Sequence, residues 1–180
     1  QREEVWVGGP GGILVITISS REVKFLTIDS KRQLNIKSMK YYNGNIYILD
    51  EMGLYIYDIS TGSITRDNGL GLPVKLFSLA IMNNSNLVIG GSDGIYAKKI
   101  TQDSWQRVVN SGQCDIITNP DACFAVINRS SIWYSTEGFF WKNIGTMPTG
   151  IEINKIEKHR SQLYIGTNSG LYVDNGSFYG

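Results

Sequence analysis

The sequence predicts an all-β fold made of repeated sheets, and three observations lead to this prediction. One short pattern occurs five times, each copy running from an apolar segment through a tight turn into a second apolar segment: VWVGGPGGIL, IYILDEMGLY, LVIGGSDGIY, FAVINRSSIW and LYIGTNSGLY. The last small residue before the second apolar segment recurs about every 40 residues, at Gly12, Gly53, Gly94, Ser131 and Gly170. No segment keeps apolar residues at helical spacing for more than about two turns.

The residues before each turn assign the faces of the predicted strands, because alternate residues of a strand point to opposite sides of its sheet. One face carries apolar pairs in every copy: Val5 and Val7, Ile46 and Ile48, Leu87 and Ile89, Phe124 and Val126, Leu163 and Ile165. The opposite face carries Trp6, Tyr47, Val88, Ala125 and Tyr164. Strands that are apolar on both faces need neighbours on both sides, so each sheet is predicted to lie between two others.

Further segments extend each unit to four strands. Residues 36–42 and 76–81 are predicted as strands preceding the repeated pair, residues 64–66 and 105–109 as strands following it, and residues 151–163 as holding one more preceding strand. The Gly, Asp, Asn and Pro residues of the repeated turns are those that tight hairpins select. Four strands in about 40 residues are typical of a β-propeller blade, whereas the coils of the competing parallel β-helix are shorter.

Residues 1–180 are therefore expected to form a single β-propeller domain or a segment of one. The first copy starts at its second strand, and the fifth copy ends after its third. Sheet edges that carry Val, Ile and Tyr promote association unless they are covered. We expect these units to belong to a longer chain or to be completed into a ring by another subunit.

The strand, glycine-turn and Gly-Leu-Tyr pattern resembles the propeller repeats of bacterial two-component sensor ectodomains. The third and fourth copies also resemble the Asp-box (BNR) repeats of sortilin-type and sialidase-type propellers. Partial matches are Thr101, Asp103, Ser104 and Trp105 in one copy, and Ser135, Glu137, Gly138 and Trp141 in the other. In those families the turn is a structural device, so the resemblance implies the fold and no particular activity.

Composition limits the partners. The formal net charge is +1 and charged residues make up 18% of the chain. Phosphate-backbone binding needs several clustered cations, so nucleic acid is not expected as a partner. No apolar run approaches the ~18 residues of a membrane span, so none is predicted. The protein is expected to lie outside the cytoplasm, as a secreted, cell-surface or periplasmic domain.

The two cysteines, Cys114 and Cys123, leave two interpretations open. A disulfide between them would agree with an oxidising compartment. Alternatively, Cys114 falls at the repeat position of Ile36, Phe77 and Ile153, which predicts a buried thiol.

The sequence offers little for catalysis. His159 is the single histidine, so no metal site, cofactor or catalytic residue is predicted. Asp50, Glu51 and Asp93 lie in turns where a carboxylate pair for glycoside hydrolysis is conceivable, although turn chemistry alone also explains them. The resemblance to sialidases would imply three clustered arginines and a tyrosine, and the seven arginines fall at unrelated repeat positions.

A binding role is therefore predicted, with recognition through the turns at one end of the sheets. This face comprises residues 8–11, 50–52, 90–93, 128–130 and 167–169, rimmed by 67–73 and 146–150. The candidate partner-binding residues are Asp50, Glu51, Ser92, Asp93, Asn128, Arg129, Thr167 and Asn168. The favoured function is a non-catalytic scaffold for protein recognition in a receptor, sensor or attachment protein. A carbohydrate-directed enzyme or lectin-like module on the same face, and a structural assembly subunit, are the alternatives.

Overall fold

A computed structural model of the protein describes residues 3–28, 33–82, 85–119, 122–160 and 162–174. Within these ranges the chain forms 18 strands and no helix. This part of the chain accordingly contains no helix long and apolar enough to cross a membrane.

The strands form five antiparallel sheets, numbered 1 to 5 in chain order. Sheet 1 contains β1 (Glu4–Gly9), β2 (Gly12–Thr17) and β3 (Glu22–Leu26). Sheet 2 contains β4 (Ile36–Tyr42), β5 (Asn45–Asp50), β6 (Gly53–Asp58) and β7 (Ile64–Arg66). Sheet 3 contains β8 (Leu76–Ile81), β9 (Asn86–Gly91), β10 (Gly94–Lys99) and β11 (Gln106–Asn110). Sheet 4 contains β12 (Cys114–Asn119), β13 (Ala122–Ile127), β14 (Ser131–Ser135) and β15 (Lys142–Thr146). Sheet 5 contains β16 (Ile153–His159), β17 (Gln162–Thr167) and β18 (Gly170–Asp174).

The sheet topology confirms the predicted repeat. In every sheet the strands pair in the order of the chain, as a simple antiparallel meander. The strands predicted before the repeated pair are β4, β8 and β16, and those predicted after it are β7 and β11. Among the described residues, sheet 1 begins with the counterpart of β5 and sheet 5 ends with the counterpart of β6, so each has three strands.

The repeated turns join the second and third strands of each sheet. Gly94 shows why glycine recurs there: its φ is +156°, and a Cβ would lie 2.0 Å from the carbonyl oxygen of Val109. Sheet 4 solves the turn differently, because Asn128 and Arg129 take left-handed φ values of 51° and 56°. Ser130 N–H then bonds the carbonyl of Ile127 at 3.1 Å, which is type I′ geometry. The anchor of this copy can therefore be Ser131.

Apolar side chains fill the space between each consecutive pair of sheets. In sheet 2, Ile46 and Ile48 pack towards sheet 1. Tyr47 and Leu49, on the opposite face, pack towards sheet 3. Two further clusters join sheets 3 and 4 and sheets 4 and 5 in the same way. The prediction that sheets lie between sheets is confirmed for sheets 2, 3 and 4.

The two terminal sheets depart from that prediction because each has a neighbour on one side. Val5 and Val7 occupy the apolar-pair positions of sheet 1 and are 45% and 48% exposed. On sheet 5 the outward face leaves Leu171 and Val173 exposed. The five sheets thus form an open stack, and the described sheets do not close into a ring.

A buried charged cluster ties the end of β7 to sheet 3. The ammonium of Lys98 contacts the carboxylate of Asp67, and both side chains are buried. Trp105 Nε1 and Gly69 N–H donate to Asp67 Oδ1 at 3.0 and 2.9 Å, while Lys98 Nζ lies 5.1 Å from the centre of the Trp105 ring. Burial raises the pKa of Asp67, but hydrogen bonds from Lys98, Trp105 and Gly69 outweigh it and hold the pKa below the ordinary 3.8.

Replacing Asp67 by Asn tests this cluster. The variant removes the counter-charge of a buried lysine, so we expect a loss of about 3 kcal/mol in the free energy of unfolding at neutral pH. Because the folded pKa is lowered, the wild-type contribution should persist above pH 3.8 and be lost as the pH falls through the folded pKa. Urea unfolding followed by tryptophan fluorescence measures both effects. Asp103→Asn, which alters an exposed acid in the connection between β10 and β11, is the control, and an equal loss in the two variants would contradict the assignment.

Candidate functional site

The turns between second and third strands lie side by side at one end of the stack. We call the turns 10–11, 51–52, 92–93, 128–130 and 168–169 the loop row. Leu76 N–H of sheet 3 bonds the carbonyl of Glu51 in sheet 2 at 2.9 Å. At the same repeat position, Ile153 N–H of sheet 5 bonds the carbonyl of Arg129 in sheet 4 at 2.7 Å. Backbone hydrogen bonds between sheets therefore fix the spacing of neighbouring turns.

Asp50 lies beneath this row, with its side chain buried at 1% exposure. Its Oδ1 accepts the N–H of Asn35 at 2.7 Å and its Oδ2 the N–H of Met52 at 3.2 Å. The carboxylate thus joins the segment before β4 to the turn after β5. A partner cannot reach it while the turn keeps this conformation.

Glu51, Ser92 and Asp93 lie closer to solvent. Glu51 Oε2 is 4.0 Å from Lys37 Nζ, and Ser92 is exposed. Asp93 pairs with Arg107 at 3.1 Å and accepts the hydroxyl of Tyr96 at 2.9 Å. Burial, followed by the hydrogen bond and charge of Asp93, raises the pKa of Tyr96 to about 12. These side chains can contact a partner without rearrangement of the backbone.

Asn128 and Arg129 form the tip of the sheet 4 turn, and both are exposed. Asn128 Oδ1 accepts the N–H of Gln113 at 3.1 Å, and this hydrogen bond fixes the Asn128 side chain against the residue that precedes β12. Arg129 Nη1 lies 3.0 Å from Glu152 Oε2 in the connection to sheet 5. Exposed pairs of this kind contribute little to stability, so Arg129 can exchange this partner for another at small cost.

Thr167 and Asn168 brace the last turn of the row. Thr167 Oγ1 donates to the carbonyl of Gly170 at 2.8 Å. Asn168 Oδ1 accepts the N–H of Glu152 at 3.0 Å, and its Nδ2 donates to the carbonyl of Gly150 at 3.1 Å. Both side chains are engaged within the fold, although Asn168 remains exposed.

Two exposed apolar residues, Met52 and Val74, are not among the candidate partner-binding residues predicted from the sequence, although Met52 lies in the predicted segment 50–52 of the face. They are 61% and 79% exposed and flank the hydrogen bond between Leu76 and Glu51. The guanidinium of Arg66 reaches the carbonyl of Met52 at 3.4 Å, and Lys75 next to Val74 is exposed. A signal was available, because Met52 is an apolar residue inside a turn that otherwise carries acids and glycine.

The cysteines are free and buried. On the β12–β13 ladder Cys114 lies opposite Ile127, whereas Cys123 lies opposite Thr118. The two residues are therefore four ladder positions apart, or about 13 Å, far beyond the ~7 Å that a disulfide can bridge. The disulfide is not formed and the alternative, two buried thiols, applies. Burial raises the pKa of both thiols.

Residues with catalytic or metal-binding chemistry are not gathered at the loop row. Within the described ranges there is no group of three or more His, Cys, Asp and Glu residues that could hold a metal ion. His159 is exposed at the end of β16 and pairs with Gln162, at the opposite end of sheet 5 from the turn at 168–169. The absence of an enzymatic activity stays a prediction.

The fourth-copy residues that resemble an Asp box form the turn between β14 and β15. Ser135 Oγ accepts the N–H of Gly138 at 2.8 Å, and Trp141 Nε1 donates to the carbonyl of Gly138 at 2.8 Å. The turn is thus closed by local hydrogen bonds. Its assignment as an Asp box stays a prediction.

No family model and no curated protein matches the chain, but solved structures do. The extracellular domain of the one-component system BT4673 from B. thetaiotaomicron has a TM-score of 0.77 at 15% identity, over 94% of this chain and 24% of that one. PorZ, a surface component of the type-IX secretion system of Porphyromonas gingivalis, has a TM-score of 0.71 at 14% identity, over 96% of this chain and 24% of PorZ. YCF48, solved with the D1 peptide, has a TM-score of 0.72 at 16% identity, over 97% of this chain and 62% of YCF48.

The chain has a β-propeller-like repeat fold. The resemblance to sensor-ectodomain propellers is confirmed at the level of the fold. The chain spans about a quarter of the length of the BT4673 domain and of PorZ. At these identities the likeness concerns architecture alone.

Asp50 and Asp93 occupy equivalent hairpins, and their substitution should separate a structural carboxylate from an accessible one. Asp50→Ala leaves two backbone N–H groups without their acceptor, so we expect a loss of about 2 kcal/mol in the free energy of unfolding. Asp93→Ala removes a solvent-accessible ion pair and the acceptor of the Tyr96 hydroxyl, and should cost no more than about 1 kcal/mol. Urea unfolding curves measure both changes, and similar losses would show that Asp50 does not hold the turn.

Proposed function

We propose that the protein is a non-catalytic propeller scaffold that recognises a protein partner through its loop row. The observation that carries this proposal is that Met52 and Val74 are 61% and 79% exposed, and that the hydrogen bond from Leu76 N–H to the carbonyl of Glu51 joins the two chain segments that carry them. Apolar anchors surrounded by polar groups are the usual energetic centre of protein interfaces.

The rigidity of the row supports recognition. The turns are held by backbone hydrogen bonds between sheets, such as those of Glu51 with Leu76 and Arg129 with Ile153. A surface that is already ordered loses little conformational entropy on binding. Little of the interaction energy between the loop row and a partner would therefore be offset by the cost of ordering the turns.

The polar surroundings favour an acidic partner surface near the anchors. The guanidinium of Arg66 reaches the carbonyl of Met52 and Lys75 follows Val74 in the chain, while Glu51 and Asp93 already face Lys37 and Arg107. The side chains of Glu51, Ser92, Asp93, Arg129 and Asn168 would form the rim of the interface. Asp50 and Thr167 would support the turns from within.

An extracytoplasmic setting for this recognition is part of the proposal. Two of the solved propellers are an extracellular sensor domain and a bacterial surface component. In a sensor, receptor or attachment domain, the propeller would hold its turns in place for a partner to contact. This agrees with the present stack, in which the polar groups that a partner can reach lie mainly at the turns.

The proposal is tested by placing charges at the anchors. Met52→Asp together with Val74→Asp should remove partner proteins from affinity enrichments of secreted and envelope fractions, measured by mass spectrometry against the wild type. The control is Phe140→Asp, which alters an equally exposed residue (79%) in the β14–β15 turn. If the wild type, the double variant and the Phe140→Asp control retain a partner equally, the interface lies outside the loop row. Separately, turnover of model glycosides would contradict the non-catalytic assignment.

A role in assembly is a second candidate, because both end faces of the stack expose apolar side chains. On sheet 1 the outward face carries Val7, Leu14 and Phe25. On sheet 5 it carries Leu171 and Val173. Further blades, from more of the same protein or from another subunit, would cover these faces and complete the ring.

Phe25→Lys tests this second candidate. The lysine places a charge on the outward face of sheet 1, so it should lower the association that covers this face. Light scattering after size-exclusion chromatography, across a range of concentrations, measures the effect. A wild-type protein that stays monomeric at all concentrations would contradict self-association.

A further inference from the structure

Two arginines occupy the same place in sheets 2 and 3, on the last strand of each sheet. Arg66 of β7 lies opposite Tyr55 on the ladder of sheet 2. Arg107 of β11 lies opposite Tyr96 on the ladder of sheet 3. Both arginines follow the anchor glycine of their sheet at the same distance in the chain. The expectation that all seven arginines fall at unrelated repeat positions is therefore wrong for this pair.

The guanidinium groups of these two arginines make matching contacts. The guanidinium carbon lies 5.7 Å from the centre of the Tyr55 ring in sheet 2 and 5.9 Å from that of Tyr96 in sheet 3. Each group also lies against its anchor glycine, since a Cβ on that glycine would be 3.3 Å from the arginine Nε in both sheets. Each Nη2 donates to the carbonyl of the residue before that glycine, Met52 or Asp93. The ring and the carbonyl thus hold both groups in one orientation.

One contact distinguishes the two arginines. In sheet 3 the carboxylate of Asp93 faces Arg107, with Oδ2 3.1 Å from Nη2. In sheet 2 the residue at the position of Asp93, directly before the anchor glycine, is Met52, which carries no charge. Arg66 forms no ion pair with any acid in the part of the chain that the structure describes. Because Arg66 is exposed, a carboxylate from another molecule can reach its guanidinium.

We propose that Arg66 and the turn at Met52 form a subsite for a carboxylate of the protein partner, supplied by an Asp or Glu side chain. This carboxylate takes the position relative to Arg66 that the carboxylate of Asp93 takes relative to Arg107. Sheet 3 thus satisfies its arginine from within the chain, and sheet 2 satisfies its arginine from the partner. The subsite rests on the proposed function, since it assumes that a protein binds at the loop row.

The chemistry of the subsite selects a carboxylate beside an apolar group. A guanidinium presents a planar fork of N–H donors, which matches the two oxygens of a carboxylate. The Tyr55 ring and the Met52 carbonyl already orient this fork, so Arg66 loses little side-chain entropy when the partner binds. The Met52 side chain is 61% exposed in the same turn and offers an apolar contact. An acidic residue next to an apolar one in the partner would use both.

The first test needs no partner and uses acetate as the probe. Acetate replaces chloride at constant ionic strength, and ¹H–¹⁵N NMR follows the Nε–H resonances of Arg66 and Arg107. We expect a saturable shift at Arg66 with half-saturation at about 30 mM acetate, the strength of charge-assisted hydrogen bonds at a single group. Arg107 should respond much less, because Asp93 already occupies its carboxylate position. Equal responses of the two arginines, or no response of Arg66, would overturn the proposal.

Two variants should exchange the behaviour of the two arginines. Met52→Asp supplies a carboxylate in the turn of sheet 2, so acetate should no longer shift Arg66. Asp93→Ala removes the carboxylate in sheet 3, so Arg107 should respond to acetate as Arg66 does in the wild type. Thermal unfolding confirms that both variants are folded. An unchanged response of Arg66 in the first variant, or of Arg107 in the second, would show that the two positions are not equivalent and would overturn the proposal.

Partner binding separates the subsite from the loop row as a whole. In affinity enrichments, Arg66→Gln should lower the retained partner about threefold, and Arg66→Lys should not restore it, because an ammonium lacks the planar fork. Arg107→Gln is the matched control, since Asp93 already neutralises that arginine. A partner lost by Met52→Asp with Val74→Asp but fully kept by Arg66→Gln would overturn the carboxylate subsite and leave the loop row in place. A partner kept by all of these variants would overturn the proposed function as well.

Discussion

The mutual covering of neighbouring sheets is the constraint on which the rest of this structure depends. Each internal sheet has two apolar faces, shown in sheet 2 by Ile48 on one side and Leu49 on the other, both fully buried. Exposure of either face to water would be unfavourable, so each internal sheet needs a neighbouring sheet on both sides. The stack determines the positions of the turns at the sheet ends, and the loop row is rigid because the sheets beneath it are packed.

Apolar packing alone does not fix how two sheets are oriented relative to each other, and buried polar groups provide this specificity. Asp50 fixes the start of sheet 2 to its own turn through two backbone N–H groups. Asp67 fixes the connection after β7 to Lys98 and Trp105 of the next sheet. Such groups are costly to bury unless every partner is in place, so they favour one arrangement of adjacent sheets over others that would bury a similar apolar area.

Much of the architecture could be predicted from the sequence, because the side-chain period of a strand and the turn glycines are local signals. Whether a strand face is buried depends on a neighbouring sheet, which a local sequence pattern does not reveal. Val7 and Ile48 occupy the same repeat position, yet Val7 is 48% exposed and Ile48 is 0% exposed. The same limit applies to the candidate site: Asp50 and Asp93 both lie in hairpins, and only contact with Asn35 distinguishes the buried acid. Cys114 and Cys123 are close in sequence, and the ladder register keeps them apart.

The stack also determines where this protein can bind other molecules. The faces of the internal sheets are used by neighbouring sheets, and their central strands have no free backbone groups. Groups that can meet a partner therefore occur at the turns, at the outward faces of sheets 1 and 5, and at the edges of sheets. The loop row presents side chains around Met52, whereas the outward faces of sheets 1 and 5 present apolar side chains such as Phe25 and Val173. The proposed recognition through the turns and the proposed assembly through the outward faces thus use different surfaces of the same stack.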